Sequence, residues 1–333
     1  MALDPCRRGG GSPTRLLAAT ALEVLPRVLG FCDREPTSAT YGCCDRPYWH
    51  YRLIDVANAR LQEAGWLLAL AWAYPGRGNR WRGSPALAAW SCAIWNFWLS
   101  ARNADGSVRE IYPYERSFCA TSFTAAAFTE TVRLMGGAQA FPEELLQARS
   151  TFLWLGEHSN PSVFNQMAAS LHALCGYASL TGDAAVTAAA RRRHDEVRRL
   201  ATPDGVLPEY GGMDAGYQTI SLASLAKLAG NKFPGVELDD LIGRGLSAVA
   251  DRIGPEGQVD AARNSRGTQF LYPSALARHA PELLERLVSG LNKDVLLRPA
   301  WMDDRYCIAL AIDYLLASME LPNAYDDLET TFT

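Results

Sequence analysis

Three similar stretches decide the fold: Asp105-Gly106-Ser107-Val108-Arg109-Glu110, Asp204-Gly205-Val206-Leu207-Pro208-Glu209 and Glu256-Gly257-Gln258-Val259-Asp260. Each stretch begins with an acidic residue and a glycine, which are followed by a variable residue and an aliphatic one. Each stretch ends on or near a second acidic residue. Looser relatives begin at positions 45, 157 and 303, so that six polar junctions follow one another along the 333-residue chain. A period near fifty residues, with two helical stretches in each unit, is typical of an array of helical hairpins. Six units in one chain predict a closed ring.

Helical stretches flank every junction. The first helix of each unit is predicted at residues 14–30, 84–102, 142–156, 184–200, 238–253 and 281–296. The second helix is predicted at residues 53–74, 117–135, 163–180, 217–228, 269–279 and 306–319. Leu238, Leu241, Ile242, Leu246 and Val249 show the spacing of one buried stripe, whereas residues 120–128 are apolar or small nearly all round. Amphipathic outer helices around apolar inner helices predict an all-α fold, an (α/α)6 toroid.

Length and composition agree with a repeat array. A chain of 333 residues exceeds the usual size of one hydrophobic core, but a hairpin in an array needs only its neighbours. We expect a single toroid domain over residues 1–333, with a short flexible N-terminus at 1–13 and an acidic tail at 322–333. The net charge of −4 and the lack of a basic stripe argue against nucleic acid as a partner. Arg191, Arg192, Arg193, Arg198 and Arg199 are expected to form a solvated outer face.

The eight cysteines contain no CxxC pair and no set with zinc spacing, so neither a metal site nor a cofactor is predicted. The adjacent Cys43 and Cys44 leave a redox or metal-linked role open. No stretch reaches the roughly 18 uncharged apolar residues that a membrane span needs. Glu23 and Pro26 interrupt the first apolar run, which is therefore interpreted as an ordinary helix and not as a secretion signal. These observations favour a cytoplasmic protein.

The junctions are where function is expected. In a toroid all second helices begin on one face of the ring, so residues about fifty positions apart converge on one central cavity. Polar and aromatic residues of the junctions supply the candidate site. The candidate catalytic residues are Glu115, Glu209, Asp214, His50 and Tyr114. The candidate substrate-binding residues are Asp45, Arg46, Tyr48, Tyr51, Arg109, Tyr112, Arg116, Asn165, Gln166, Tyr210, Tyr217, Gln218, Arg266, Arg305 and Tyr306.

Aromatic rings beside carboxylates, amides and arginines are the chemistry of sugar recognition. Rings stack on the apolar face of a pyranose, and the guanidinium fork suits a carboxylate, sulfate or phosphate on the sugar. The expected partner is therefore an acidic oligosaccharide or polysaccharide. For each single pair, such as Asp45 with Arg46, the arginine could instead tie adjacent loops together.

Six hairpins with such junctions resemble the six-hairpin glycosidases and the toroidal domains of heparinase II/III-like polysaccharide lyases. The resemblance is architectural, covers nearly the whole chain, and rests on the period and on stretches such as 112–116 and 209–218. It implies cleavage of a glycosidic bond in an acidic glycan. Lyases of this type usually append a β-sandwich, and this chain holds none; that departure favours a hydrolase.

Two mechanisms remain open at this stage. Hydrolysis needs a carboxylic acid and a second carboxylate, for which Glu115 and Glu209 are the candidates and Asp214 the reserve. β-Elimination needs a group that neutralises the uronate and a base; the candidates that could supply them are the arginines together with Asn165, Gln166, His50, Tyr51 and Tyr114. A helix-capping role for Glu115 competes with the catalytic one. A non-catalytic glycan-binding protein and a terpene-cyclase-like toroid are the remaining alternatives, since a fold alone does not establish chemistry.

Overall fold

The computed structural model describes residues 12–321, and within them the chain is helical with only isolated β-bridges. The outer helices are α1 (Pro13–Leu22) and α2 (Leu25–Phe31), α5 (Pro85–Ser100), α7 (Pro142–Glu157), α9 (Ala184–Leu200), α11 (Asp239–Ala250) and α13 (Pro281–Asn292). The inner helices are α4 (Ala64–Ala73), α6 (Phe118–Leu134), α8 (Phe164–Thr181), α10 (Ala215–Asn231), α12 (Ser274–His279) and α14 (Asp304–Glu320). A single turn, α3 (Arg46–Trp49), lies in the first junction.

The inner helices form a closed ring. Each contacts the next along the chain, and α14 contacts α4. The outer helices α5, α7, α9, α11 and α13 each pack against the inner helix of the unit before them, and α1 completes the pattern by packing against α14. The predicted all-α toroid, including the meeting of its first and last units, is therefore confirmed.

The junction glycines explain the recurring acid–glycine pair. Gly106, Gly205 and Gly257 all have φ between 83° and 93°, the left-handed region that favours glycine. A Cβ on any of them would lie within 2.6 Å of the backbone of the next outer helix: at Ser150 for Gly106, at Arg244 for Gly205 and at Arg286 for Gly257. The glycine of each acid–glycine pair thus lets the junction turn sharply and pack closely against the backbone of the next outer helix.

The third junction, which begins at residue 157, lacks the acid–glycine pair, and an arginine from the next outer helix binds its backbone instead. Arg193 on α9 donates to the carbonyl oxygens of Leu155 at 3.0 Å and His158 at 2.5 Å. Its residue is only 3% exposed, whereas Arg191, Arg192, Arg198 and Arg199 are exposed. The expectation of a fully solvated arginine face was therefore wrong at Arg193, whose guanidinium satisfies carbonyls at the end of α7.

Several predicted helix ends were also wrong. The helix predicted at 14–30 is two helices, α1 and α2, which Pro26 separates by beginning a new first turn. The helix predicted at 53–74 begins at Ala64 after a short 3-10 segment, Ala59–Glu63, and the one predicted at 269–279 begins at Ser274, after Pro273. The N-terminus expected to be flexible to residue 13 already enters α1 at Pro13, capped by Ser12; residues 1–11 and the tail at 322–333 lie outside the described residues. None of the described helices is long and apolar enough to cross a membrane.

Candidate active site

The junction face holds a cavity of about 250 Å³ at the mouth of the ring. Residues from four inner helices and the loops before them line it. They are Arg60, Glu110, Ile111, Cys119, Phe123, Val163, Asn165, Gln166, Glu209, Tyr210, Tyr217, Ile220, Tyr272, Arg266, Arg305 and Tyr306. The structure therefore brings together eight of the twenty residues that the sequence predicted: Glu209, Asn165, Gln166, Tyr210, Tyr217, Arg266, Arg305 and Tyr306.

Glu209 is the more deeply buried of the two carboxyl groups that line this cavity. Its residue is 1% exposed, because the junction before α10 pairs with the start of α8 through a β-bridge between Glu209 and Val163. Asn165 Nδ2 donates to Glu209 Oε2 at 2.6 Å, and Arg266 Nη1 donates to Oε1 at 3.3 Å. Both carboxyl oxygens are thus held in fixed positions by neighbours from other units.

Burial raises the pKa of Glu209 to about 7. The hydrogen bond from Asn165 and the charge of Arg266 lower it, and the nearby carboxylate of Asp214 adds to the rise. Desolvation penalises the charged form, and here it outweighs both stabilising neighbours. A carboxyl group with this pKa can take or give a proton near neutral pH, which is the property a general acid or base needs.

Arg266 and two tyrosines form the wall beside Glu209. The Arg266 guanidinium lies 4.9 Å from the ring centre of Tyr210 and 5.1 Å from that of Tyr217. The hydroxyls of Tyr217 and Tyr306 are 2.6 Å apart. Burial, followed by the charge of Tyr306, raises the pKa of Tyr217, so its phenol carries its proton at neutral pH.

Two more guanidinium groups, those of Arg305 and Arg60, line the cavity. Arg305 Nη1 lies 2.6 Å from Glu110 Oε1, and Ser117 Oγ donates to Glu110 Oε2 at 3.2 Å. Arg60 is buried, forms an ion pair with Glu63, and its guanidinium carbon lies 4.1 Å from the ring centre of Phe123. With Arg266, three guanidiniums face the cavity against the carboxyl groups of Glu110 and Glu209.

An open groove of about 570 Å³ continues from the cavity. Both are lined by Glu110, Ile111 and Arg305, so the Arg305–Glu110 ion pair belongs to the wall between them. The remaining groove residues come from the first and last junctions: Asp45, Pro47, Ile54, Val56, Asn58, Leu61, Asp303 and Asp304. Of the predicted substrate-binding residues, Asp45 therefore lies in the groove and not in the cavity.

Three predicted residues make structural hydrogen bonds elsewhere. Glu115 Oε2 accepts the backbone N–H groups of residues 110, 111 and 112 at 2.9, 2.8 and 3.2 Å, and Glu115 does not line the cavity. Asp214 caps α10 by accepting from the N–H of Tyr217 at 3.1 Å. Gln218 binds the carbonyl oxygens of Gly205 and Gly245 at 2.8 and 3.1 Å, which ties the junction to α11. Glu115, Asp214 and Gln218 therefore each stabilise the backbone of a junction or a helix end.

The other predicted residues lie around the rim. His50, Tyr51, Tyr112 and Tyr114 are exposed, Tyr114 to 89%. The remaining four contact residues outside the cavity. Arg46 stacks over Tyr51, and Tyr48 lies against Phe97. Arg109 donates to the carbonyl oxygen of Ala101, and Arg116 forms an ion pair with Asp105. None of these eight side chains lines the cavity.

The site residues predicted from the sequence did not include Arg60, Glu110 or Tyr272. Arg60 was predicted inside an apolar helix, and a single arginine in such a run was the signal that it has a polar neighbour. Glu110 ends the first quoted stretch at the position that Glu209 occupies in the second, so the repeat itself pointed to it. In residues 12–321 no group of three or more His, Cys, Asp or Glu side chains is arranged to hold a metal ion.

Comparison with known proteins supports the fold. No protein-family model matches the chain, and no curated protein matches it. Among solved structures, the chain is similar to the Streptomyces coelicolor A3 chondroitin AC lyase in complex with chondroitin sulphate, with a TM-score of 0.54 and 15% identity. The match covers 98% of this chain and 47% of the lyase chain, so the chain spans about half the length of that enzyme. At this identity the likeness shows the toroidal fold alone.

Proposed function

We propose that the chain is a carbohydrate-active enzyme that cleaves a glycosidic bond of an acidic glycan by β-elimination at the cavity around Glu209. The observation that carries the proposal is Glu209 itself, a buried carboxyl group with a pKa of about 7 held by Asn165 and Arg266. It faces a cavity in which cationic side chains and tyrosine hydroxyls are combined.

Arginine side chains would bind the acidic sugar. Arg266 and Arg305 both line the cavity, and a guanidinium fork binds a carboxylate through two parallel hydrogen bonds. Neutralising the carboxylate of a uronate makes the hydrogen on the adjacent carbon more acidic, because the charge that develops on its removal is stabilised. Tyr210, 62% exposed at the rim, offers a ring on which a pyranose can stack.

Glu209 and the tyrosine pair would move the protons. The ionised fraction of Glu209 takes the proton from C5 of the uronate, the C4–C5 double bond forms, and the bond from C4 to the glycosidic oxygen breaks. The leaving oxygen takes a proton from Tyr217 or Tyr306, whose hydroxyls share a hydrogen bond. Transfer of the proton from Glu209 to the tyrosine through solvent restores the starting state. The pKa of Glu209, about 7, suits a base, and the raised pKa of Tyr217 keeps its phenol protonated, as a proton donor must be.

The comparison adds support of a general kind. A toroid similar to this one occurs in a lyase whose structure contains chondroitin sulphate, an acidic glycan. The likeness concerns the fold, and the lyase chain is about twice as long, since the match covers 47% of it. The argument for elimination therefore rests on the side chains of the cavity.

Hydrolysis is the second candidate, because two carboxyl groups line the same cavity. Protonated Glu209 could act as the acid and Glu110 as the second carboxylate. The sequence favoured hydrolysis because the chain holds no β-sandwich, and it named Glu115 as the partner of Glu209; Glu115 lies outside the cavity. The ion pair between Arg305 and Glu110, at 2.6 Å, is closer than the contact of 3.3 Å between Arg266 and Glu209, which makes Glu110 the less available nucleophile or base. We therefore favour elimination.

The product distinguishes the candidates. The protein is incubated with a panel of uronate-containing, sulfated and phosphorylated oligosaccharides. Elimination creates an unsaturated uronate that absorbs in the ultraviolet, whereas hydrolysis creates a reducing end without that chromophore. Binding without either product would support a glycan-binding protein instead, and a panel that is neither bound nor cleaved would overturn the proposal.

A further inference from the structure

Asp45 is a buried carboxylate of the groove without a cationic partner. Its residue is 2% exposed, and its Oδ2 accepts the backbone N–H of Asn58 at 2.8 Å. Among the described residues no Arg, Lys or His lies within ion-pair distance of Asp45. By contrast, two other acids of the groove are paired: Glu110 with Arg305 and Asp304 with Arg27, both at 2.6 Å. The ionised form of Asp45 is therefore taken out of water without a compensating charge, which is costly unless a ligand supplies one.

The surroundings of Asp45 favour a cation further. Burial raises the pKa of Asp45 and the charge of Asp304 adds to the rise, while the backbone N–H groups of Asn58 and Tyr48 oppose it. A positive group placed beside Asp45 would stabilise its ionised form. The exposed Asp303, which caps α14 through the N–H of Tyr306, adds another negative charge to the same groove.

The groove and the cavity have opposite electrostatic character. The groove is lined by the carboxylates Asp45, Glu110, Asp303 and Asp304 and by one guanidinium, that of Arg305. The cavity is lined by three guanidiniums and two carboxyl groups. Ile54 and Ile111, 43% and 62% exposed, give the groove an apolar surface suited to the face of a sugar ring. An anionic sugar is therefore favoured in the cavity and disfavoured in the groove.

The two spaces are arranged to hold consecutive sugars of one chain. They share Glu110, Ile111 and Arg305, so a glycan whose acidic sugar lies in the cavity continues directly into the groove. We infer that the groove binds the neighbouring sugar of the same glycan, and that this sugar is an amino sugar with a free ammonium group for which Asp45 is the counter-ion. This inference rests on the proposed function, because it assumes that the acidic sugar occupies the cavity.

The test uses oligosaccharides of alternating glucuronic acid and glucosamine in three forms that differ only at nitrogen: free amine, N-acetylated and N-sulfated. Each is titrated calorimetrically into the Glu209→Gln protein, in which turnover is suppressed. We expect the free-amine form to bind at least about tenfold more tightly than the N-acetylated form, because hydrogen bonds to charged groups are the strong ones. The N-sulfated form, whose charge faces four carboxylates, should bind most weakly.

Asp45→Asn, made in the same background, should bring the free-amine and N-acetylated forms to nearly equal affinity. Asp251→Asn is the matched control, since it removes the same charge from an exposed residue at the end of α11 and should leave the preference intact. Should Asp45→Asn fail to fold, titration of the Glu209→Gln protein at rising salt replaces it, because an ammonium–carboxylate preference must shrink as salt screens it.

The outcomes separate the two proposals. Equal affinity for the free-amine and N-acetylated forms overturns the inference, as does a preference that survives Asp45→Asn or is insensitive to salt. In those cases the proposed function stands, because the acidic glycan still binds. If none of the three forms binds and no acidic glycan of the wider panel is bound or cleaved, the proposed function fails, and this inference fails with it.

Discussion

Asn165 Nδ2 lies 2.6 Å from Oε2 of Glu209, although 44 positions separate the two residues and they belong to successive units of the ring. The contact is supported by the backbone on both sides, since Phe164 N–H donates to Pro208 and Tyr210 N–H donates to Ser162 at 3.1 and 3.0 Å. A carboxyl group held this way, between the start of α8 and the junction before α10, keeps its orientation when a substrate enters, which is what proton transfer requires.

Replacing Glu209 by Gln should reduce kcat by roughly a hundredfold or more, since positioned proton transfer contributes about 10²–10⁴-fold. The amide has nearly the same shape, so circular dichroism should show an unchanged fold. The measurement is the initial rate of formation of the unsaturated product. A variant that keeps more than about a tenth of the rate would remove Glu209 from proton transfer.

The same substitution should stabilise the protein in a pH-dependent manner. Because the folded pKa of Glu209, about 7, lies above the ordinary value of 4.5, the folded state binds the extra proton between those values. The contribution of Glu209 to stability is therefore greatest below pH 4.5 and declines as the pH rises through 7. Glu209→Gln removes this decline, and its free energy of unfolding relative to the wild type should rise by on the order of 2–3 kcal/mol between pH 4 and pH 8.

Urea titrations of both proteins at pH 4, 6 and 8 measure this difference. A constant difference across the three pH values would contradict the raised pKa. The prediction does not depend on activity, so it tests the environment of Glu209 even if no substrate has been found. It also fits the tendency of functional groups to be held in environments that cost stability.

Glu115 should behave differently from Glu209. Its Oε2 accepts three backbone N–H groups, so Glu115→Ala leaves them without an acceptor and should destabilise the protein by about 1–3 kcal/mol. We expect any loss of activity to follow the loss of folded protein, with kcat per folded molecule within about tenfold of the wild type. Rates measured at a temperature well below both melting transitions check this. A loss comparable to that of Glu209→Gln in a fully folded variant would return a catalytic role to Glu115.

The sequence predicted the toroid well because the fold depends on a repeat that can be counted. The acid–glycine pair marks each sharp turn, and the apolar pattern separates inner from outer helices. The site was harder to predict, because being in a junction does not determine where a side chain points. Glu115 and Glu209 looked equivalent as loop acids, yet the first accepts hydrogen bonds from its own loop and the second is covered by another unit. Arg60 was missed because its 3-10 segment was taken as part of a helix.

The junction glycines provide the last prediction, which tests the fold independently of function. Gly205→Ala should lower the free energy of unfolding by at least about 2 kcal/mol, because a left-handed non-glycine residue is strained and the new Cβ cannot be accommodated. At φ 86° that Cβ would lie 2.3 Å from the carbonyl oxygen of Arg244 on α11, a backbone atom that cannot move without shifting the helix. Gly243→Ala, on the exposed side of α11 with nothing within 4 Å, is the matched control and should stabilise the protein by up to about 1 kcal/mol. Urea unfolding of both variants measures these changes in the free energy of unfolding. If Gly205→Ala does not destabilise the protein while Gly243→Ala stabilises it, the glycine of the motif is not needed for close packing between units.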